Sequence, residues 1–328
     1  MKVATGAMLV GLAVGAMGQE TKLEHVHLLT LVGRPLAVTV GQMRGTFAKY
    51  GVEVETENLA SSDLMRKALA EGKGDVAYAA VDNAVAMVEM GAADVVIVSG
   101  GEGSQNELMA QPAIKTIEDL KGKSLLVDAV NTAYALQLKK ILLLHGMRAG
   151  QDYEMNALGA TPVRLAGLLA NKEYAASMLP PPFSIKAARG GLMSLGSVPE
   201  LIGAYQGSGH FVKRSWVLAH KKVLTNYLAA FIESQRWMMD PKNREQVTDL
   251  IAKESHLDPD VASQYYALSV TKPGGFEKDA ELDAAGFAIV LKLRAEVEGQ
   301  WGGHTPAAVK YYDDTYYVAA LALAKGGS

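Results

Sequence analysis

The chain has 328 residues, of which 49% are hydrophobic and 20% are charged, and its formal net charge is −3. This length and apolar fraction predict a large core and two domains or lobes. The small net charge argues against a nucleic-acid or membrane-surface protein, whose partners would require a basic face. The chain contains no cysteine, which excludes disulfides, thiolate metal sites and cysteine nucleophiles.

The first eighteen residues, MKVATGAMLVGLAVGAMG, have the pattern of a secretory signal peptide. Lys2 supplies a positive charge, residues 3–17 form an apolar run too short to span a bilayer comfortably, and Ala16-Met17-Gly18 resembles a cleavage site. Because no cysteine follows, we expect no lipid anchor. The alternative interpretation is a buried first strand or helix, which the glycines suit poorly. The pattern therefore predicts an exported protein of the bacterial periplasm.

From residue 25 onward, short apolar runs alternate with helical patterns. Strands are predicted at 25–32, 52–59, 75–81, 93–101, 124–130, 152–158 and 173–179. Helices are predicted at 36–50, at 64–72 after caps at Ser61 to Asp63, after a cap at Asp82 or Asn83, at 133–146 after Asn131-Thr132, and from Thr161-Pro162. This alternation predicts an α/β protein with mainly parallel sheets.

Two observations extend this prediction. The stretches LAEGKGDVA (69–77) and LLANKEYAA (168–176) both run from a helix end into a strand, which indicates two similar lobes. After about residue 211 the pattern becomes mostly helical. The helices predicted there are 221–239, 242–254, 258–268, 279–298 and 306–324.

Signatures of catalysis and of cofactor binding are weak or missing. GKS at 122–124 lacks the first glycine of a phosphate-binding loop, and SGGEGSQN (99–106) has Asn106 where a dinucleotide fingerprint requires its third glycine. His25 and His27 share one strand face but no third metal ligand is apparent. We therefore expect no enzymatic activity, no cofactor and no metal site.

Polar residues and prolines mark the ends of the predicted strands, where ligands bind in open α/β sheets. Free N–H groups at the following helix N-termini favour anionic or hydrogen-bond-accepting ligands. The alternative is that each polar residue only caps its own helix. The candidate ligand-binding residues are Gly33, Arg34, Pro35, Ser61, Ser62, Asp82, Asn83, Asn131, Thr132, Thr161, Pro182 and Phe183.

Four stretches resemble the substrate-binding proteins of ABC importers, in the nitrate/taurine/alkanesulfonate and thiamine-pyrimidine (NMT1/THI5-like) group. They are AEGKGDVAYAAVDN, IEDLKGKSLLVDAVNTAYALQLKKILLLHG, GATPVRLAGLLANKEYAASMLPPPFS and GAYQGSG. The resemblance covers roughly residues 25–240 and implies the type II periplasmic-binding fold. In that fold two α/β lobes are joined by two crossover segments, here near 100–104 and 204–207, and a helical C-terminal part follows.

The resemblance also implies how the chain is divided. Residues 1–18 would be the signal peptide, 22–103 the first segment of lobe 1, 104–205 lobe 2, and 206–328 the return to lobe 1 with the C-terminal helices. The sequence departs from the group at 171–174, where a glycine and an acidic residue are usual. That segment lies at a strand start, away from the expected cleft.

The function implied by the resemblance is that of an exported, monomeric solute-binding protein. It would capture a small organic solute, anionic or heteroaromatic (a sulfonate, a carboxylate or a pyrimidine-like compound), and deliver it to an ABC permease and its ATPase in the inner membrane. Two alternatives stay open, namely a ligand-sensing module for a membrane receptor and a fold-related enzyme of the menaquinone-pathway type. Relatives that make thiamine pyrimidine or remove sulfinate depend on cysteines, which this chain lacks.

Individual roles follow for several candidates. Arg34 is expected to pair with an anionic group, because its planar guanidinium suits carboxylates and sulfonates. Asp82 and Asn83 would exchange hydrogen bonds with the solute. On the second crossover, Tyr205 and Gln206 would touch the solute or brace the hinge.

The stretch MLPPPFS (178–184) contains three consecutive prolines between a predicted strand and a helical pattern. Prolines restrict the backbone and lack N–H groups, so they suit a rigid turn better than a sheet. We expect this strand-to-helix turn to fix Phe183 and Ser184 at the cleft, with Phe183 packing against an apolar part of the solute.

Overall fold

The computed structural model describes residues 22–31 and 33–325, so the predicted signal peptide lies outside the described residues. The strands of the described chain are β1 (Glu24–Thr30), β2 (Val52–Asn58), β3 (Val76–Ala80), β4 (Val95–Ser99), β5 (Glu107–Ala110), β6 (Ser124–Val127), β7 (Glu154–Ala157), β8 (Tyr174–Leu179), β9 (Met193–Ser197) and β10 (Ser208–Lys213).

Helices surround the strands in the first two-thirds of the chain and dominate the last third. The α-helices are α1 (Leu36–Met43), α2 (Thr46–Lys49), α3 (Ser62–Glu71), α4 (Asp82–Glu89), α5 (Ala133–Leu144), α6 (Thr161–Ala170), α7 (Phe183–Arg189), α8 (Val198–Leu201), α9 (Arg214–Ala219), α10 (Lys221–Met239), α11 (Arg244–Glu254), α12 (Pro259–Thr271), α13 (Ala284–Glu298) and α14 (Thr315–Lys325). Short 3₁₀ helices lie at Glu118–Leu120, Pro241–Asn243, Gln300–Gly303 and Ala308–Lys310.

The strands form two five-stranded sheets with the orders β2-β1-β3-β10-β4 and β7-β6-β8-β5-β9. In the first sheet β1 runs parallel to β2 and β3, and β10 is antiparallel to β3 and β4. In the second, β6 runs parallel to β7 and β8, and β5 is antiparallel to β8 and β9. We call the first sheet with its helices lobe 1 and the second lobe 2. The predicted two-lobed α/β fold is confirmed.

Two chain segments connect the lobes, one between β4 and β5 and one between β9 and β10. They lie side by side, because Gly103 forms a β-bridge with Gln206 and the Gly207 N–H donates to the Glu102 carbonyl oxygen at 3.1 Å. The predicted crossovers near 100–104 and 204–207 lie in these connections.

Several helix boundaries differ from the prediction. The helix expected over 36–50 is divided into α1 and α2 at Gly45, whose φ of 70° is incompatible with a continuous right-handed helix. The helix expected over 279–298 begins only at Ala284, after Ala280 with φ 55°. By contrast, α10 has the predicted bounds.

The predicted caps are partly confirmed. Ser61 accepts a hydrogen bond from the Leu64 N–H, and Thr132 accepts one from the Ala135 N–H. The prediction that Asp82 or Asn83 caps α4 was wrong: Val81 occupies the cap position, without a side-chain hydrogen bond. Thr161 likewise follows the cap position of α6, which Ala160 occupies.

The C-terminal helices pack against both lobes. Helix α13 contributes Phe287 and Val290 to a buried cluster that contains residues of both sheets, and it contacts α4 and α5. The α11–α12 hairpin builds a second cluster that joins Val40 of lobe 1 to Ile185 of lobe 2. Within the described residues, no helix is long and apolar enough to cross a bilayer.

Candidate functional site

A cavity of about 560 Å³ lies between the lobes, where the parallel strands of both sheets end. Lobe 1 contributes residues that follow β1, β2 and β3, and lobe 2 contributes residues that follow β6, β7 and β8. The α11–α12 hairpin forms a further wall with Leu257, Tyr265 and Ser269. This is the position at which open α/β sheets hold ligands.

Most of the residues singled out from the sequence line this cavity. They are Gly33, Arg34, Pro35, Ser61, Ser62, Asn83, Thr132, Thr161, Pro182, Phe183 and Tyr205. The structure does not place Asp82, Asn131 and Gln206 in the lining.

The side chain of Asp82 is occupied by a buried arginine, which explains its absence from the cavity. Its Oδ1 accepts from Arg294 Nε at 2.5 Å and its Oδ2 accepts from Arg294 Nη2 at 2.7 Å, with both side chains at most 1% exposed. Asn131 Oδ1 accepts from the same guanidinium, from Nη1 at 3.0 Å. The expectation that these two side chains contact a solute is therefore corrected, because both hold Arg294 of α13.

Gln206 acts as a brace between the two connections. Its Nε2 donates to the carbonyl oxygens of Glu102 at 3.0 Å and Ser208 at 2.9 Å, and its Oε1 accepts from the Asp283 N–H at 2.7 Å. All three polar positions of the amide are thus used within the chain. Of the two roles left open by the sequence, bracing the hinge agrees with this geometry.

Arg34 lies on an exposed loop after β1, which Asn58 holds in place. Asn58 Oδ1 accepts from the Gly33 N–H and from Thr30 Oγ1, both at 2.7 Å. No ion pair among the described residues includes Arg34, so its guanidinium can bind an anion at the mouth of the cavity.

The three prolines form the predicted turn between β8 and α7. The Pro180 carbonyl oxygen accepts from the Ser184 N–H and the Pro182 carbonyl oxygen accepts from the Lys186 N–H, each at 3.0 Å. Phe183 is half-buried between the cavity and the lobe 2 core, and Lys186 Nζ lies 5.9 Å from its ring centroid. Ser184 differs from the expectation: it is 2% exposed and is not part of the lining.

A buried cation in the wall of lobe 2 was not predicted from the sequence. Arg164 is 1% exposed, and its N–H groups donate to Ser177 Oγ, to Thr161 Oγ1 and to the carbonyl oxygens of Gly159 and Met178. All of these acceptors are neutral, and burial lowers the pKa of Arg164. Its guanidinium carbon lies 5.2 Å from the Tyr134 ring centroid. A positive charge without a contacting carboxylate favours an anionic group in the cavity.

A half-buried carboxylate in the first connection was also not predicted from the sequence. Glu102 lines the cavity, and its Oε1 accepts from Ser208 Oγ at 2.8 Å. Burial raises the pKa of this carboxyl, against the opposing effect of the Ser208 hydrogen bond. Glu102 is the one charged residue within SGGEGSQN, which was a signal available in the sequence.

A hydrogen bond between two residues of the cavity lining links the lobes. Ser62 Oγ, at the start of α3, donates to Asp128 Oδ2 at 3.2 Å, and Thr132 Oγ1 donates to Asp128 Oδ1 at 2.6 Å. Asp128 follows β6, so this contact joins a helix N-terminus of lobe 1 to a strand end of lobe 2.

Seven aromatic rings contribute to the apolar wall. They come from both lobes and from the C-terminal part: Tyr78, Tyr134, Phe183, Tyr205, Phe231, Tyr265 and Phe276. Charged groups of both signs stand among them, namely Arg34, Arg164, Lys186, Glu102, Asp128 and Glu254. Such a site can hold a flat or apolar body and pair with charges of either sign.

No histidine lines the cavity, and within 22–31 and 33–325 no group of three or more histidines and carboxylates is arranged to hold a metal ion. The arrangement suits binding by shape, hydrogen bonds and charge.

Comparison with known proteins agrees with this geometry. Residues 36–166 match the model of the NMT1/THI5 like family, which is less than half of the chain. No curated protein matches the sequence.

Solved structures match nearly the whole chain at low sequence identity. The periplasmic nitrate-binding protein of Synechocystis PCC 6803 has a TM-score of 0.75 at 14% identity, over 92% of this chain and 89% of that one. The ligand-binding component of an ABC-type import system from Staphylococcus aureus has a TM-score of 0.73 at 15% identity, over 90% and 99%. The alkanesulfonate-binding protein of Xanthomonas axonopodis has a TM-score of 0.69 at 16% identity, over 87% and 95%.

These neighbours are binding proteins for nitrate and for alkanesulfonates. The resemblance inferred from the sequence is confirmed: residues 36–166 match the NMT1/THI5 like family, and the chain has the fold of ABC-type periplasmic binding proteins.

Proposed function

We propose that this protein captures a small organic solute between its two lobes and delivers it to an ABC importer. The observation that carries the proposal is the cavity of about 560 Å³, enclosed by both lobes at their strand ends. Sites for small ligands typically measure roughly 300–1,000 Å³ and combine apolar walls with a few polar groups. The binding proteins among the structural neighbours support the same role.

The proposal includes the cellular setting. Residues 1–18 direct export to the periplasm, residues 22–103 and 206–328 form lobe 1 with its C-terminal helices, and residues 104–205 form lobe 2. The protein acts as a monomer, and its partners are the solute and an inner-membrane permease with its ATPase. Neither nucleic acid nor a cofactor takes part.

The solute is proposed to carry an anionic or heteroaromatic group. Arg34 at the mouth and Arg164 in the wall would attract a sulfonate or carboxylate, since neither cation is paired with a carboxylate among the described residues. The rings of Phe183 and Tyr134 would pack against a flat body.

Lobe closure is the proposed mechanism. The two connections lie side by side and Gln206 ties them to the start of α13, so rotation of one lobe would be concentrated in these few residues. A solute that contacts both lobes binds the closed arrangement better than the open one, which shifts the population toward closure.

Native mass spectrometry of protein purified without refolding tests this function, followed by a thermal-shift panel of sulfonates, aromatic acids and pyrimidines. A bound solute should appear as added mass, disappear after unfolding and refolding, and return when it is added back. At a concentration 100-fold above Kd, it should raise the melting temperature by about 5 °C. The proposal fails if no small molecule binds, or if a candidate is converted to a product.

A further inference from the structure

Glu102 is held by its backbone at the point where the two lobes meet. Its carbonyl oxygen accepts from the Gly207 N–H at 3.1 Å and from Gln206 Nε2 at 3.0 Å, and its N–H donates to the Ser208 carbonyl oxygen at 3.3 Å. It also forms a β-bridge with Phe276, after α12. The side chain therefore enters the cavity from a fixed position, which suits a residue that selects a ligand.

The carboxylate of Glu102 is only partly satisfied by the protein. Ser208 Oγ donates to Oε1 at 2.8 Å, and no hydrogen bond to Oε2 is found among the residues that the structure describes. Glu102 is likewise absent from the ion pairs of those residues. Glu102 is half-buried, and a carboxylate that is partly removed from water without a cation is incompletely compensated, so its position in the cavity indicates that a positive group comes from outside the chain.

Aromatic rings line the same cavity as this carboxylate. Tyr78 and Tyr265 line the same cavity, and burial, followed by the negative charge of Glu102, raises the pKa of both hydroxyls. The Phe231 ring lies 5.5 Å from that of Tyr78, and Phe276 is bridged to Glu102 itself. Aromatic faces attract cations, and the attraction is strongest where water is excluded.

We propose that Glu102, Tyr78, Tyr265 and Phe276 form a subsite for a positively charged nitrogen of the solute, such as a protonated amine or an amidinium group. The inference rests on the proposed solute-binding function and adds the chemistry of one end of the solute. The anionic or heteroaromatic part lies toward Arg164 and Arg34, and the cationic nitrogen lies against the hinge.

Isothermal titration calorimetry with matched probes tests the subsite. The probes are benzylamine with benzyl alcohol, and 4-(aminomethyl)pyridine with 4-pyridinemethanol, so that each pair differs in a cationic nitrogen versus a neutral oxygen. The wild-type protein should bind at least one amine more than tenfold more tightly than its alcohol, an order of magnitude expected for a desolvated charge pair. If both alcohols bind as tightly as their amines, or if neither amine binds, the inference is overturned.

Substitution of the carboxylate locates the effect. Glu102→Gln keeps the size and the acceptor for Ser208 but removes the charge, so it should weaken amine binding about 30-fold and leave alcohol binding unchanged. Glu102→Asp keeps the negative charge but places it one methylene closer to the backbone. It should therefore weaken amine binding less than Glu102→Gln does. Unchanged amine binding in Glu102→Gln overturns the inference.

The matched control is Glu277→Gln, the same substitution at an exposed position near the hinge that is not part of the cavity lining. It should bind every probe as the wild type does, and an equal loss of amine binding would overturn the inference. The melting temperature of ligand-free Glu102→Gln should not fall, since the change removes an unpaired charge. Failure of the subsite is distinguishable from failure of the proposed function, because a solute seen by native mass spectrometry would still bind the variant.

Discussion

The buried pair Asp82–Arg294 and the cavity carboxylate Glu102 show two ways in which this chain handles charges away from bulk water. Asp82 has both oxygens bonded to one guanidinium, which also bonds Asn131 of lobe 2. Glu102 has one neutral donor, Ser208. The complete ion pair holds α4 against α13. The Glu102 carboxylate has no cation within the chain, so a ligand can still form an ion pair with it.

Arg164 lies between these two cases. Its guanidinium donates only to neutral acceptors, and Asp128 in the same cavity attracts its charge without contacting it. Burial alone therefore does not identify a ligand-binding charge in this protein. A charged side chain is a candidate for ligand binding when it lines the cavity and no charge of opposite sign contacts it.

The largest expected effect concerns the complete pair. Arg294→Met leaves the Asp82 carboxylate buried without its cation and should lower the free energy of unfolding by about 3–5 kcal/mol. Guanidinium chloride denaturation measures this change. The double variant Asp82→Asn/Arg294→Met should recover part of the loss.

Lys292→Met on the same helix is the matched control for this prediction, because Lys292 is 56% exposed and pairs with Glu296 at 3.5 Å. Exposed pairs of this kind contribute about 0–1 kcal/mol. Equal losses for Arg294→Met and Lys292→Met would show that the buried pair has no special role.

A second prediction concerns His210, a buried side chain that burial keeps in its neutral form. Ser99 Oγ and the Tyr227 hydroxyl hydrogen-bond its two ring nitrogens, and burial lowers its pKa from 6.5 to about 3. Between these values the unfolded chain binds a proton that the folded chain does not. Stability should therefore fall as the pH drops below 6.5, by about 1.4 kcal/mol per pH unit from this residue.

Denaturation curves at several pH values between 4 and 7 measure this slope, with pH as the set variable. His210→Gln should lower stability at pH 7 but reduce the slope by about one proton. If the variant keeps the wild-type slope, His210 is not the group that titrates on unfolding.

The variant Phe183→Ala tests whether this ring contributes to solute binding or to the stability of the core. It should weaken binding of the identified solute about tenfold, because an aromatic contact is lost, while the free energy of unfolding falls by less than about 2 kcal/mol. Phe287→Ala, fully buried and not in the cavity lining, should cost about 3–5 kcal/mol of stability and leave affinity nearly unchanged. A large stability loss with unchanged affinity in Phe183→Ala would make it a core residue.

The smallest expected effect concerns the contact between the lobes. Ser62→Ala removes the hydrogen bond to Asp128 and should weaken solute binding about fivefold, since one hydrogen bond contributes about 1 kcal/mol to closure. Ser61→Ala removes the cap of α3 and should instead lower stability by about 1 kcal/mol. Equal affinities of Ser62→Ala and the wild type, measured by calorimetry, would contradict a role of this contact in closure.

Much of the fold was predictable from the sequence, because hydrophobic runs and caps are local signals. The parallel strands and α10 followed from such patterns. Strands β5, β9 and β10 were not predicted; Glu107–Ala110 has only four residues, and Met193–Ser197 has five, with serines and a glycine that also suit a turn. Their antiparallel pairing depends on distant strands, which no local pattern encodes.

The sequence predicted the site residues whose location follows from their position at the end of a strand or the start of a helix. Helix N-termini such as Ser62 and Thr132 line the cavity because strand ends converge there. Asp82 has the same sequence context, but Arg294, more than two hundred residues later, occupies its carboxylate. Tyr265 and Leu257 reach the cavity from the α11–α12 hairpin, for which the sequence predicted helices but no site residue.

The contact between Ser62 and Asp128 has a practical consequence for spectroscopy. It brings together two segments whose neighbouring residues Leu64 and Val130 are 49% and 52% exposed, one on each lobe. Because the chain has no cysteine, Leu64→Cys and Val130→Cys would introduce a unique pair of labelling positions. Spin labels or fluorophores at these two positions would report the distance between the lobes, and that distance should shorten when a solute closes the cleft.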